Sequence, residues 1–222
     1  EVSVRQLLDK ARMQLDQRAL APQTRRSIQR LLGHLYHSLG ESETAARMFD
    51  AGLRDSAPSN REEALAIAAD LDGHASALAA LERGKESLAT AQEAVALRQR
   101  FAPGDLHQRF LGQRQLAIAH GALADCKQAD AQWKQALATA GAMPKADAVE
   151  LADAHVGYSR MLFTCGEYKR GFDVAGQGIL AADRGGLPAL SPERARLLWM
   201  KSSNGNAVGL ISTAHAEALL RQ

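Results

Sequence analysis

The chain has 222 residues, 46 % apolar and 23 % charged, the balance of a folded protein and not of a disordered one. Its formal charge is +2, with acids and bases interleaved and no Lys/Arg run long enough to track a phosphate backbone, so no nucleic-acid partner is expected. No apolar run approaches the ~20 residues needed to cross a bilayer, so no membrane partner is expected for this segment.

In chain order, residues 1–20 read as a lone helix. "SVRQLLDKARMQLDQ" has the register of the second helix of a pair without its first, suited to covering the open end of a helical stack. With neither a starting Met nor a basic leader, the chain reads as an excised segment of a longer protein. Four helix pairs follow, at 22–58, 60–101, 105–142 and 145–184. Breaker-rich connections punctuate them: "DSAPSN", "FAPGD", "AGAMPKAD" and "DRGGLPALSPE". Residues 191–222 read as a partial last pair, opened by Ser191 as N-cap with Pro192 at the first helical position.

The pairs are repeats. Gly33, Ala75, Ala117 and Ser159 stand 42 residues apart, and the columns around them agree in size. Leu32/His74/Leu116/Tyr158, Tyr36/Leu78/His120/Leu162 and Leu39/Leu81/Leu123/Cys165 lie on one helix face. On the second helix, Ala45/Ser87/Ala129/Gly171 and Gly52/Ala94/Ala136/Gly178 are all small, while Leu53/Val95/Leu137/Ile179 are all large. Small columns let two helices approach and large ones fill the space beside them. The fold class is therefore all-α, a stack of antiparallel helix pairs with about four full repeats and partial end units.

The residues Leu32-Gly33-x-x-Tyr36, Ala45-x-x-x-Phe49 and Pro58 resemble the tetratricopeptide (TPR) pattern. Leu116, Ala129, Trp133 and Ala136 repeat it, as do Gly166-Glu167-Tyr168. The period of 42 in place of 34 is similar to the kinesin-light-chain-like variety of these repeats. The second unit departs from the pattern, with His74 and Ala91 where large apolar residues are usual. The resemblance implies a right-handed superhelix whose concave groove binds protein segments. A looser resemblance is to the helical segment that follows the kinase domain of many bacterial serine/threonine kinases. No Gly-rich loop, H-R-D or D-F-G is present, so the resemblance implies only that parent's non-catalytic part.

No constellation points to catalysis, and neither enzyme activity nor a cofactor is expected. "GGLPALSPE" and "GFDVAGQG" neither follow a strand nor open a helix as a phosphate loop would. His34 and His37 share a helix face but lack third and fourth ligands, so no metal is expected. Cys126 and Cys165 have no CxxC or ligand spacing and fall at turns of neighbouring units. They read as structural thiols in a reducing compartment, with no disulfide framework and a cytoplasmic location.

The helix face opposite the packed columns carries Arg30, His34 and His37 in the first unit, then Asp72 and Ser76. Arg114 and Ile118 follow in the third unit, and Arg160 and Phe163 in the fourth. Three arginines along one surface suit an acidic peptide or protein segment. The competing reading is a solvated face with no partner. The chaperone-type carboxylate clamp of TPR domains is not reproduced, because His34 and Ser76 stand where its asparagine would be. The expected function is a protein-interaction module, regulatory or scaffolding, in a bacterial signalling protein. Its alternatives are a sensor closing on a small peptide or metabolite, and a self-association domain using Leu197, Leu198 and Trp199.

Overall fold

The computed structural model describes residues 3–54 and 56–210, and its regular structure is helical throughout. The helices are α1 (Val4–Gln17), α2 (Pro22–Ser38), α3 (Ser42–Leu53), α4 (Arg61–Ala80), α5 (Gly84–Phe101), α6 (Leu106–Ala122), α7 (Cys126–Gly141), α8 (Ala148–Thr164), α9 (Tyr168–Arg184) and α10 (Pro192–Ala207). They form two compact units, Glu1–Gln108 and Arg109–Gln222, divided in the first turn of α6. The last twelve residues, 211–222, part of the expected final helix pair, lie outside the described residues.

Three residues join α2 to α3, α4 to α5, α6 to α7 and α8 to α9. Each turn uses one backbone device, repeated every 42 residues. Gly40, Glu82, Ala124 and Gly166 all have positive φ, between 56° and 77°. The amide that follows reverses onto the preceding helix: Glu41 to Tyr36, Arg83 to Leu78, Asp125 to His120 and Glu167 to Leu162, at 2.8–3.0 Å. This is the Schellman closure, which satisfies carbonyls that the helix end would leave orphaned. Glycine occupies only two of the four sites; Glu82 and Ala124 accept the left-handed conformation because the same closure holds them there. At the N-termini, Ser3, Asn60, Asp125, Asp147 and Ser191 each accept a backbone amide of the following first turn.

In the first unit, the Phe49 ring of α3 is the hub. It is fully buried, and its tip reaches the α4 backbone at Gly73, where an added Cβ would stand 2.6 Å from Cζ. His74 lies against the same ring, 6.1 Å between centroids. The second repeat's departure from the pattern is thus accommodated from its neighbour: Phe49 fills the space beside His74, and Ala91 is completely buried. α1 takes the place of a preceding second helix. Its Leu15 joins the core of Leu32, Tyr36 and Phe49, and its Asp9 accepts a 2.8 Å hydrogen bond from the Tyr36 hydroxyl.

The second unit repeats these arrangements. Trp133 of α7 is buried over Gly157 of α8, where a Cβ would stand 2.7 Å from the indole. Its ring stacks on Tyr158, whose hydroxyl donates to Asp130 of α7 at 2.6 Å. Arg170 of α9 also pairs with Asp130. Burial and then the Asp130 carboxylate push the Tyr158 phenol far up from its ordinary range, so it remains a donor. The small columns are joined by side-chain bonds to backbone: Ser87 Oγ donates to Ala75 O at 2.8 Å, and Ser159 Oγ to Gly171 O at 2.7 Å. Asn204 of α10 then donates to Ser159 at 3.1 Å, and this close seat exists because Gly171 has no Cβ.

The cysteines are not free thiols: Cys126 and Cys165 form a disulfide, with 6.0 Å between Cα atoms. The expectation of unpaired cysteines is corrected by the stacking itself. Cys126 opens α7 and Cys165 caps the C-terminus of α8, and packing α8 on α7 brings these ends together although 39 residues separate them. Among the described residues no free cysteine remains. A closed loop of that length is worth about 4 kcal/mol by the chain-entropy relation. The double variant Cys126→Ser/Cys165→Ser is expected to lose roughly 2–4 kcal/mol in urea unfolding. The wild-type protein under dithiothreitol should lose the same amount, and the variant should be insensitive to it.

Candidate partner-binding faces of the first helices

In the first unit most of the expected groove residues are engaged by side chains of neighbouring helices. The stem of Arg30 crosses α3 at Gly52, where a Cβ would lie 2.6 Å from its Cγ. Its Nε then reaches Asp70 of α4 at 3.0 Å. His34 Nε2 donates to the other oxygen of Asp70 at 2.8 Å while its ring stands edge-on to Phe49, 4.8 Å away. A carboxylate only accepts, so this bond fixes the proton on Nε2. His37 is half-buried and its Nδ1 has no hydrogen-bond partner. Burial, followed by the nearby charge of His34, holds its pKa below the ordinary imidazole value.

Asp72 is gripped through both oxygens by Arg98 of α5, at 3.0 and 2.5 Å. Arg98 is only 3 % exposed and also donates to Gln108 at 3.1 Å, so Asp72 is the counter-charge that lets a guanidinium lie in the core. Ser76 is half-buried and likewise engaged. Among the described residues no group of three His, Cys, Asp or Glu side chains lies close enough to hold a metal ion.

The second unit differs. Arg114 of α6 is half-buried, with its guanidinium 5.8 Å from the Phe110 ring centroid, and no carboxylate among the described residues bonds it. Ile118, on the next turn, packs its side chain on the core. Arg160 of α8 is exposed and its guanidinium has no partner among the described residues. Phe163 remains 38 % exposed, edge-on to Tyr168 at 5.2 Å.

Sequence reasoning missed Asp153 and Arg196. The Arg196 guanidinium comes within 2.8 Å of an Asp153 oxygen that has no aligned hydrogen bond. Burial raises the Asp153 carboxyl above its usual range, with Arg196 and then Arg114 opposing the shift. This pairing joins α8 to α10 and has no local sequence signal. Of the residues proposed for self-association, Trp199 is 54 % exposed, but Leu197 is wholly buried beside Gly178 and is part of the core.

Buried imidazoles make stability depend on pH. His37 and His74 of the first unit and His155 of the second all have pKa values below the ordinary 6.5, in each case chiefly from burial. The unfolded chain therefore takes up protons first as pH falls through 6.5. Stability is complete above that value and is lost towards the lower folded-state pKa. Urea midpoints are expected to fall between pH 7 and pH 5, and His155→Gln should show a shallower fall than the wild-type protein.

No family model matches the chain, and no curated protein matches it. Solved structures do resemble it. A kinesin-light-chain-like protein of Podosopora anserina, with nearly identical TPR-like repeats, superposes in its Q17M form with a TM-score of 0.65 at 17 % identity. That match covers 92 % of this chain and 95 % of the other. A second structure of that protein gives 0.63 at 17 % identity, over 91 % and 94 %. Rap protein, solved in complex with competence and sporulation factor, gives 0.74 at 12 % identity over 96 % of this chain. The chain spans 55 % of the Rap chain. Sequence pattern, helix order and these likenesses agree on one fold, the TPR-like stack of helix pairs.

Proposed function

We propose that this chain is a protein-interaction module that holds an extended segment of a partner on the exposed faces of its first helices. Recognition and not turnover is its task, as the regulatory or scaffolding part of a larger bacterial signalling protein. The observation that carries the reading is the contrast between the two units. Arg30 and His34 are tied to Asp70, whereas Arg114 and Arg160 have no bonded carboxylate among the described residues and Phe163 lies open one turn from Arg160. Unpaired guanidiniums suit carboxylates, and an exposed aromatic ring suits an apolar side chain between them. The partner segment is therefore acidic, with at least one large apolar residue.

The structural likeness to Rap, a protein seen in complex with competence and sporulation factor, favours a second reading in which the bound species is a small signalling ligand. The two readings use the same helix faces and differ in ligand length. The Cys126–Cys165 disulfide favours a compartment in which such bonds persist and weighs against the cytoplasmic location expected from unpaired thiols.

Fluorescence anisotropy with a labelled peptide library of graded acidity tests the proposal. Acidic peptides carrying Phe or Leu should bind, with affinity falling as salt rises. Arg160→Glu should weaken binding by about tenfold or more, with Arg114→Glu acting in the same direction. Equal binding of basic and acidic peptides, or full affinity in both variants, would contradict it.

A further inference from the structure

The first unit contains a cavity of about 220 Å³ between the N-terminal halves of α2 and α4 and the connection leading into α4. Of the residues assigned above to partner binding, only Arg30 lines it. Arg26 and Arg30, one helical turn apart on α2, form one wall. Glu63 of α4 stands in another, and Ala57, Ala66 and Ile67 supply apolar surface.

Arg30 and Glu63 are held in place before any ligand arrives. Arg30 is anchored through Nε by Asp70 and along its stem by the close passage at Gly52. That leaves both Nη groups without a bond among the described residues. Arg26 makes only a long 3.4 Å contact from Nη1 to the Arg54 carbonyl. Glu63 is fixed through one oxygen, Oε2, which accepts from both the amide and the hydroxyl of Ser59 at 2.9 and 2.7 Å. Its other oxygen, Oε1, remains available to accept. The set is therefore a two-guanidinium donor wall, one acceptor, and a small apolar surface.

We propose that this cavity binds an N-acylated α-amino acid carboxylate, the chemistry shared by a peptide C-terminus and a free acyl-amino acid. The carboxylate meets Arg26 and Arg30, the amide N–H donates to Glu63, and a small apolar side chain rests on Ala66 and Ile67. The carboxylate and the amide each meet a group that the protein fixes on its own, Arg30 and Glu63, which lowers the ordering cost of binding. The volume accommodates about one residue, below the ~300 Å³ at which pockets for drug-sized molecules begin. The site is independent of the faces proposed above for partner segments in the second unit.

The test uses the whole 222-residue chain and follows the Ile67 methyl resonance by NMR. Probes are N-acetyl-L-alanine, its carboxamide, acetate, and an alanine-ended pentapeptide with a free or an amidated terminus. The proposal expects a saturable shift with N-acetyl-L-alanine and the free-ended peptide, and none with either amide. Arg26→Gln should weaken that binding about tenfold with an unchanged melting temperature, and Arg160→Glu should leave it intact. Tighter binding of the peptide than of N-acetyl-L-alanine identifies a peptide terminus as the source, and equal binding identifies a free acyl-amino acid; both uphold the site. No saturable shift, equal shifts from acid and amide, an equal response to acetate, or full affinity in Arg26→Gln would overturn it.

Discussion

An aromatic side chain set over a glycine of the next helix is the contact on which each unit of this structure depends. Phe49 over Gly73 and Trp133 over Gly157 are the same contact, made at the same repeat positions two repeats apart. In both, a bare backbone lets the ring lie at a distance that any Cβ would forbid. The ring then reaches side chains on both sides: His34 and His74 touch Phe49, and Tyr158 stacks on Trp133. Removing a buried ring of this size costs about 3–5 kcal/mol, a large share of a domain's ordinary stability. Adding bulk at the facing glycine would displace the following first helix.

Side chains of functional interest follow from that placement. α4 lies close enough to α2 for Asp70 to gather Arg30 and His34, which neutralises the basic character of the first unit's face. Arg98 closes on Asp72 from within the same unit. In the second unit, Asp130 is the acid that gathers charge, but it draws Lys134 and Arg170 from second helices, not the arginines of α6 and α8. Among the described residues, Arg114 and Arg160 are left without a bonded carboxylate, Arg114 half-buried over Phe110 and Arg160 exposed. One helix-pair plan, with acids at different positions, thus ties Arg30 and His34 to an acid of the next first helix in one unit and leaves Arg114 and Arg160 without a bonded carboxylate among the described residues in the other.

The repeat was legible because it is written in residue size at a fixed interval, which a single sequence displays. The small columns at Gly33, Ala45 and Gly52 and their successors correspond to real close approaches, and glycines stand at two of the four turns, Gly40 and Gly166. The other two turns were hidden, because Glu82 and Ala124 adopt positive φ under constraint from the closure and not from their own preference. The partners of Arg30 and Asp72 were also hidden. Asp70 lies 40 residues from Arg30 and Arg98 lies 26 from Asp72, and both look like ordinary surface charges in the chain. The disulfide was missed for a related reason: the turns were placed correctly, but whether two turn cysteines meet depends on a distance of a few ångströms that helix packing sets. Periodicity tells which face of a helix a residue occupies, while ion pairing depends on what the neighbouring helix brings within about 4 Å.

The most direct test of this account is a double-mutant cycle at Trp133 and Gly157, read as unfolding free energy. Gly157→Leu in the wild-type protein should be severely destabilising, because the new side chain and the indole claim one space. In a Trp133→Ala background the same substitution should cost much less, giving a favourable coupling of at least about 1 kcal/mol. Equal costs in the two backgrounds would show that the ring and the glycine do not share that space, and would contradict the packing on which the rest of the structure is built.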